Sequence, residues 1–293
     1  MTDFLQQIVE GLGAGAIYAS LALALVLIYQ FTGIVNFAQG ELAMFATYIA
    51  WQFVDGGMPF WLALVLTLAI SFLGGMAIER VIIRPVEGAP ELTVVIVTVG
   101  LFIFVNAAAG WIWTFLIKDF PNPFPRGALE AGGVSVAYST LGVLAVVGAV
   151  MGLLYLLFQY TKIGLGMRAV ATNPDSARLV GIRVGWTLAL GWGLAAMVGA
   201  VSGVLVAPLL FLEPNMMGGV LIYAFAAATL GGFDSPMGAV VGGLIVGIAE
   251  TLAGAYVGFI GSDLKIGVPL AVILGVLLLR PQGLFGRAAV ERA

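Results

Sequence analysis

The chain contains no cysteine and no histidine among its 293 residues, and only 9% of them are charged. Without cysteine there can be no disulfide and no thiolate nucleophile. Without histidine the commonest metal ligand and general base are missing too. No glycine-rich loop ends in Gly-Lys-Ser or Gly-Lys-Thr, so the chain itself is not expected to hydrolyse nucleotide. No pair of carboxylates is close enough in sequence to suggest a hydrolytic site, and no glycine-rich selectivity filter or ring-forming acidic motif favours an ion channel.

What the chain has in excess is hydrocarbon. Hydrophobic residues make up 61% of it, and uncharged runs of about 20 residues recur, each enough to cross a bilayer as a helix. Such runs lack the polar face that a water-soluble helix needs. The expected fold is therefore an all-α, polytopic transmembrane bundle forming a single domain over 1–293. The apolar runs place spans at 12–29, 37–53, 60–78, 92–117, 136–158, 184–212, 215–233, 237–260 and 266–279. The second carries Gln39 and Glu41 and the last is interrupted by Pro269, so either is a candidate for a broken, tilted or re-entrant segment, leaving eight or nine spans.

Orientation follows from the basic residues, which cytoplasmic loops retain. With nine spans, one side receives Arg80, Arg84, Lys162, Arg168, Arg178, Arg183, Arg280, Arg287 and Arg292, and the other only Lys118, Arg126 and Lys265. The basic-rich side is expected to be cytoplasmic, which puts the C-terminus inside and the N-terminus outside. The first charges, Asp3 and Glu10, are acidic and do not oppose export, and they do not resemble the basic start of a cleaved signal peptide. The largest exported loop, 118–135, holds Pro121, Pro123, Pro125 and the Gly132-Gly133 pair and is expected to be irregular.

The cytoplasmic loop 159–183 concentrates Lys162, Arg168, Arg178 and Arg183 between two long apolar runs. Within it Asn173-Pro174-Asp175 is a helix start: Asn caps, Pro suits the first turn, and Asp favours the positive end of the helix dipole. Gly181 supplies the stop. The intervening helix of about two turns is too short to be stable alone and needs packing. A short helix with interleaved apolar and basic positions at the mouth of a bundle suits insertion into a groove on a cytoplasmic protein; a basic loop resting on lipid headgroups is the alternative.

Glycines four apart place small surfaces on one helical face and let backbones approach. Gly11 and Gly15, Gly199 and Gly203, and Gly238 and Gly242 are such pairs, as are Gly243 and Gly247. Polar residues at membrane depth are costlier and so more selective. Asn36 and Gln39 share a helical face while Glu41 points elsewhere. These three are candidates for lining a translocation path; the alternative is that Asn36 and Gln39 satisfy helix ends and Glu41 pairs structurally or sits near an interface, with Asn106 and Glu250 placed within the fourth and eighth spans. A structural role is expected of Glu250.

Six motifs in order resemble the permease subunits of bacterial ATP-binding cassette (ABC) importers for branched-chain amino acids, specifically the member of the pair designated H. They are Gly11-Leu12-Gly13-Ala14-Gly15-Ala16-Ile17-Tyr18-Ala19, Gly33-Ile34-Val35-Asn36-Phe37-Ala38-Gln39-Gly40-Glu41, and Glu79-Arg80-Val81-Ile82-Ile83-Arg84-Pro85. Met167-Arg168-Ala169-Val170-Ala171 follows, leading into Asn173-Pro174-Asp175, then Gly231-Gly232-Phe233-Asp234-Ser235-Pro236 and Arg280-Pro281-Gln282-Gly283-Leu284-Phe285-Gly286. The resemblance spans nearly the whole chain.

It implies a type II importer permease in a bacterial inner (plasma) membrane, forming half of a translocation pathway with a second homologous permease subunit. Two cytoplasmic ATPase subunits would hold ATP and Mg, and a periplasmic solute-binding protein would deliver the solute; this chain would bind no cofactor and catalyse nothing. Loop 159–183 would be the coupling segment, carried by Arg168, Asn173, Pro174, Asp175, Arg178 and Gly181. Relatives of the same kind carry other amino acids, urea or short amides. Readings from other classes are a proton-coupled secondary carrier titrating Glu41 or Glu250, and a membrane scaffold that moves no solute.

Overall fold

The computed structural model describes residues 2–258 and 264–286. It is helical almost throughout: α1 (Thr2–Thr32), α2 (Gln39–Asp55), α3 (Phe60–Ile78), α4 (Glu91–Trp113), α5 (Tyr138–Tyr160), α6 (Lys162–Thr172), α7 (Pro174–Leu179), α8 (Val184–Leu210), α9 (Met217–Gly231), α10 (Pro236–Tyr256) and α11 (Gly267–Leu279), with one hairpin of β1 (Ala128–Ala131) and β2 (Val134–Ala137). Each of the nine expected spans corresponds to a helix. Among the described residues six helices are long and apolar enough to cross a membrane, α3 counted with its extension to Val86; α9 and α11 are shorter apolar helices. The eighth span was expected to run to residue 260, and its last two residues lie outside the described ones, as do Arg287 and Arg292.

Several boundaries differ from the sequence expectation. The first helix begins ten residues earlier, at Thr2 rather than 12. The second is an unbroken helix of 17 residues from Gln39; its polar residues find partners inside the protein, so no break is needed to reach water. The fourth stops at Trp113, not 117, because Thr114 turns to φ 67° and the Phe115 ring folds back onto Gly110, where a side chain would collide with it. Loop 118–135 is not wholly irregular. Gly132 and Gly133 both take positive φ, 61° and 81°, and close a two-residue antiparallel hairpin that pairs Ala131 with Val134.

The chain groups into two compact units. The first, Met1–Val26, Phe124–Ala145 and Gly219–Ala293, joins the start of α1 to α10 and ties it to the hairpin. The Gln6 side chain pairs with Ser135 through both of its polar atoms, each bond 2.9 Å. The segment after α11 returns to α9: Leu284 N–H donates to Leu230 O at 2.7 Å and Phe285 N–H to Gly231 O at 3.1 Å. Two of the resembling motifs thereby meet.

The second unit, Leu27–Pro123 and Val146–Gly218, is built on α8, most of which is buried. Helix α2 lies against it with Ala43, Met44, Thr47 and Tyr48 fully enclosed. Helix α3 crosses α8 where a side chain on Gly75 would reach Trp192 O at 2.5 Å, and one on Gly193 would reach Phe72 O at 2.8 Å. In lipid such close approach, rather than water exclusion, holds helices together. The outward faces of α3 and α4 are apolar, with Leu73, Ile103 and Phe104 all more than 60% exposed. A water-soluble protein does not present a patch of that extent; on a membrane protein it is the surface that lipid or another subunit covers.

Candidate functional site

The basic segment between α5 and α8 forms two short helices. Thr161 caps α6, its hydroxyl accepting from Gly164 N–H at 3.0 Å. Gly164 lies hard against the backbone of Leu157 and Phe158, and Met167 and Val170 are fully buried, so one face of α6 is anchored. On the other face Ile163 and Leu165 are exposed. Asn173 caps α7, Oδ1 accepting from Ser176 N–H at 2.9 Å, and Pro174 fills the first turn. Such a cap contributes about 1 kcal/mol, which matters to a helix of six residues that could not persist alone.

Gly181 ends the segment at φ 85°, and Ile182 N–H returns to Ala177 O at 3.0 Å. Ala177 is the buried anchor of α7. Asp175 and Arg178 form an exposed ion pair of 3.1 Å, worth at most about 1 kcal/mol. Beyond it Leu179 and Val180 stand 89% and 76% exposed. Five of the six expected coupling residues therefore shape or flank α7. Arg168 is apart on α6, its guanidinium donating to Gln159 Oε1 at 3.2 Å.

The polar residues of the second span lie in the same unit but present no atom to open space. Asn36 and Gln39 are 0% exposed and Glu41 2%. Asn36 accepts from Ala38 N–H at 3.0 Å and donates to Gln39 Oε1 at 3.2 Å, while Gln39 Nε2 donates to Ala195 O of α8 at 3.0 Å. Glu41 faces another way, accepting from Asn106 Nδ2 of α4 at 3.1 Å; the same nitrogen lies 3.0 Å from Pro214 O and 3.2 Å from Asn215 Oδ1. In hydrocarbon each unsatisfied polar group costs several kcal/mol, and this network meets that demand internally.

Glu250 accepts from the Tyr18 hydroxyl at 2.8 Å, and the Tyr18 ring stacks on Tyr223 with centroids 4.5 Å apart. Tyr18 falls in the first resembling motif, but the grouping of the two tyrosines with Glu250 gave no sequence signal, since the three residues sit on three different helices. The spaced glycines all occupy close helix contacts. A side chain on Gly11 would reach Ile248 Cα at 2.7 Å and one on Gly15 would reach Gly243 O at 2.8 Å. One on Gly199 would reach Gln39 Nε2 at 2.6 Å, and Gly203 is pressed on Ala43 and Thr47. Gly238 and Gly242 seat α10 on Gly231 and Ala227 of α9.

Comparison with known proteins adds the family. The profile of the branched-chain amino acid transport system permease component matches residues 7–277. The chain belongs to this family. The high-affinity branched-chain amino acid transport system permease protein LivH of Escherichia coli K12 is 32% identical, over 99% of this chain and 97% of that protein. BraD of Pseudomonas aeruginosa, with the same description, is also 32% identical, over 99% and 98%. A probable LivH of Methanocaldococcus jannaschii is 28% identical over 91% and 87%. Among solved structures, PsaBC from Streptococcus pneumoniae in complex with Fab has a TM-score of 0.50 at 14% identity, covering 95% of this chain and 92% of that one, a likeness of fold alone. The family assignment and the apolar helices together make this chain an integral membrane protein and a permease component of a branched-chain amino acid ABC transport system.

Proposed function

We propose that the chain forms half of the pathway of an ATP-driven importer for branched-chain amino acids, in a bacterial inner membrane, with its C-terminus cytoplasmic and its N-terminus periplasmic. It pairs with a second, homologous permease subunit and receives solute from a periplasmic binding protein. ATP and Mg belong to two cytoplasmic ATPase subunits; this chain binds no cofactor and catalyses no reaction. The observation that carries the reading is α7: a capped, anchored helix that holds Leu179 and Val180 out of the protein beside Arg178. Two adjacent apolar side chains so exposed on a basic cytoplasmic loop fit insertion into a groove on the ATPase. Closure of the ATPase dimer on nucleotide then pushes α7 and switches the bundle between inward and outward access, a rigid-body transition driven by differential ligand binding.

The polar network around Asn36, Gln39 and Glu41 serves this motion by holding α2, α4 and α8 as one body, not by touching solute. Selection among solutes rests with the binding protein. The test is reconstitution of the chain with its neighbouring permease, the ATPase subunits and the binding protein loaded in turn with leucine, isoleucine, valine, urea or a short amide. ATP-dependent uptake of the three branched-chain amino acids is expected. Uptake of urea or an amide alone would reassign the substrate, and uptake by this chain alone on a proton gradient would replace the importer with a secondary carrier.

A further inference from the structure

The motif Glu79 to Pro85 takes no part in the coupling helix or the buried polar network. Its structure is unusual: α3 does not end at Ile78 but continues as a π-helical turn, Glu79–Ile83, and a 3₁₀ turn, Arg84–Val86. Residues five apart diverge around an α-helix of 3.6 residues per turn. The wider π turn, whose bonds span five residues, brings them toward one face, and Arg84 N–H indeed donates to Glu79 O. The guanidinium thereby lies over the Glu79 carboxylate, Nε 3.1 Å from Oε1 and Nη2 2.9 Å from Oε2. Glu79 is 1% exposed.

The same Nη2 donates to Gly185 O. Gly185 is the second residue of α8, immediately downstream of the segment that carries α7. A side chain there would sit 3.1 Å from both Cζ and Nη2 of Arg84, so glycine lets the guanidinium lie flat on the backbone. A carbonyl in the first turn of a helix already accepts an intrahelical bond. The contact from Arg84 is therefore extra to what α8 needs to form.

We propose that Arg84 is a positioning residue for transport: held in a fixed orientation by Glu79, it clasps the start of α8 to the cytoplasmic end of α3, so that a displacement entering at α7 moves both helices together. This rests on the reading of α7 as the ATPase-coupling helix. Without the clasp, α8 would follow α7 while α3 lagged, and ATP would be hydrolysed with less solute moved.

The experiment is uptake per ATP hydrolysed, measured in liposomes holding the complete assembly. Gly185→Ala leaves the Glu79–Arg84 pair intact and places a methyl group 3.1 Å from the guanidinium, which must shift and so loosens its hold on Gly185 O. It is expected to copurify with the ATPase at the unaltered level, to hydrolyse ATP, and to lose uptake per ATP by about tenfold, within the range of ordinary coupling free energies. Arg84→Gln is expected to lose at least as much. Arg84→Lys, which keeps the charge but not the planar fork, is expected to fall between. Unchanged uptake per ATP in Gly185→Ala overturns the proposal, and so does failure of that variant to assemble, because the contact would then belong to folding. Absence of ATP-driven uptake by the unaltered assembly overturns the importer reading and the clasp with it.

Discussion

Asn106 reaches from α4 to Glu41 on α2, its amide nitrogen 3.1 Å from the carboxylate oxygen, and the same amide approaches the turn at Pro214 and Asn215 that follows α8. One side chain thus ties three segments of the second unit around a carboxylate that is 2% exposed. Replacing Asn106 with Leu strands Glu41 without a donor, and a buried acceptor left unpaired costs about 1–3 kcal/mol. The expected outcome is a clear fall in the thermal unfolding temperature in detergent. Glu41→Gln still accepts from Asn106 and should cost under about 1 kcal/mol. An Asn106→Leu protein that unfolds at the unaltered temperature would show that the network is not holding the helices.

Gly242 and Gly148 are a matched pair for testing helix contact. A side chain at Gly242 collides with Ala227 O on α9, whereas nothing lies within 4 Å of one at Gly148. Overpacking a well-fitted contact costs about 1–3 kcal/mol, and backbone is harder to displace than side chain. Gly242→Leu is expected to reduce the yield of folded protein several-fold, and Gly148→Leu to leave the folded yield of the isolated chain unchanged. Size-exclusion profiles of the two variants decide it, equal folded yields being the contrary result.

Leu179 extends from the end of α7 with 89% of its surface exposed. It contributes nothing to the packing of this chain, so Leu179→Asp is expected to leave the unfolding temperature within about 0.5 kcal/mol equivalent of the unaltered protein. In the assembly the introduced carboxylate would have to be desolvated in an apolar groove, and copurification of the ATPase should fall at least tenfold, a change of about 1.4 kcal/mol. Retention of the ATPase at the unaltered level would move the docking surface away from α7.

Much of this architecture is legible in the sequence because hydrocarbon imposes simple rules. Apolar runs locate nine helices, and the Asn173-Pro174 cap with Gly181 locates α7, since caps and stops act locally. Glycines four apart mark contact faces for the same reason. What escapes is whatever depends on partners distant in sequence. The polarity of Gln39 and Glu41 raises the prospect of a water-filled break, yet their partners are Ala195 O and Asn106, which no local pattern announces. The π turn at Glu79–Ile83 is equally invisible, because no local residue pattern sets it apart from an α turn and the bidentate contact of Arg84 with Glu79 that accompanies it appears only in the structure. The Gly132-Gly133 pair reads with the three upstream prolines as a sign of an irregular loop, whereas in the structure it closes a hairpin.

Glu250 separates the importer from a proton-coupled carrier. Its carboxylate accepts from the Tyr18 hydroxyl at 2.8 Å and also hydrogen-bonds Tyr223, on whose ring Tyr18 is stacked. Glu250→Gln preserves an acceptor for Tyr18 and removes the titrating group. ATP-dependent uptake by the complete assembly is therefore expected to stay within about twofold of the unaltered rate, less than the 1.4 kcal/mol that a tenfold change represents, and to be indifferent to an imposed proton gradient. Tyr18→Phe instead removes one of the two tyrosine hydroxyls that hydrogen-bond Glu250 and leaves that of Tyr223, which should lower stability by at most about 1 kcal/mol while leaving uptake per folded molecule unchanged. A carrier that moved protons through Glu250 would behave in the opposite way, losing transport in Glu250→Gln at unchanged stability, and the two variants measured side by side for uptake and unfolding temperature distinguish the mechanisms.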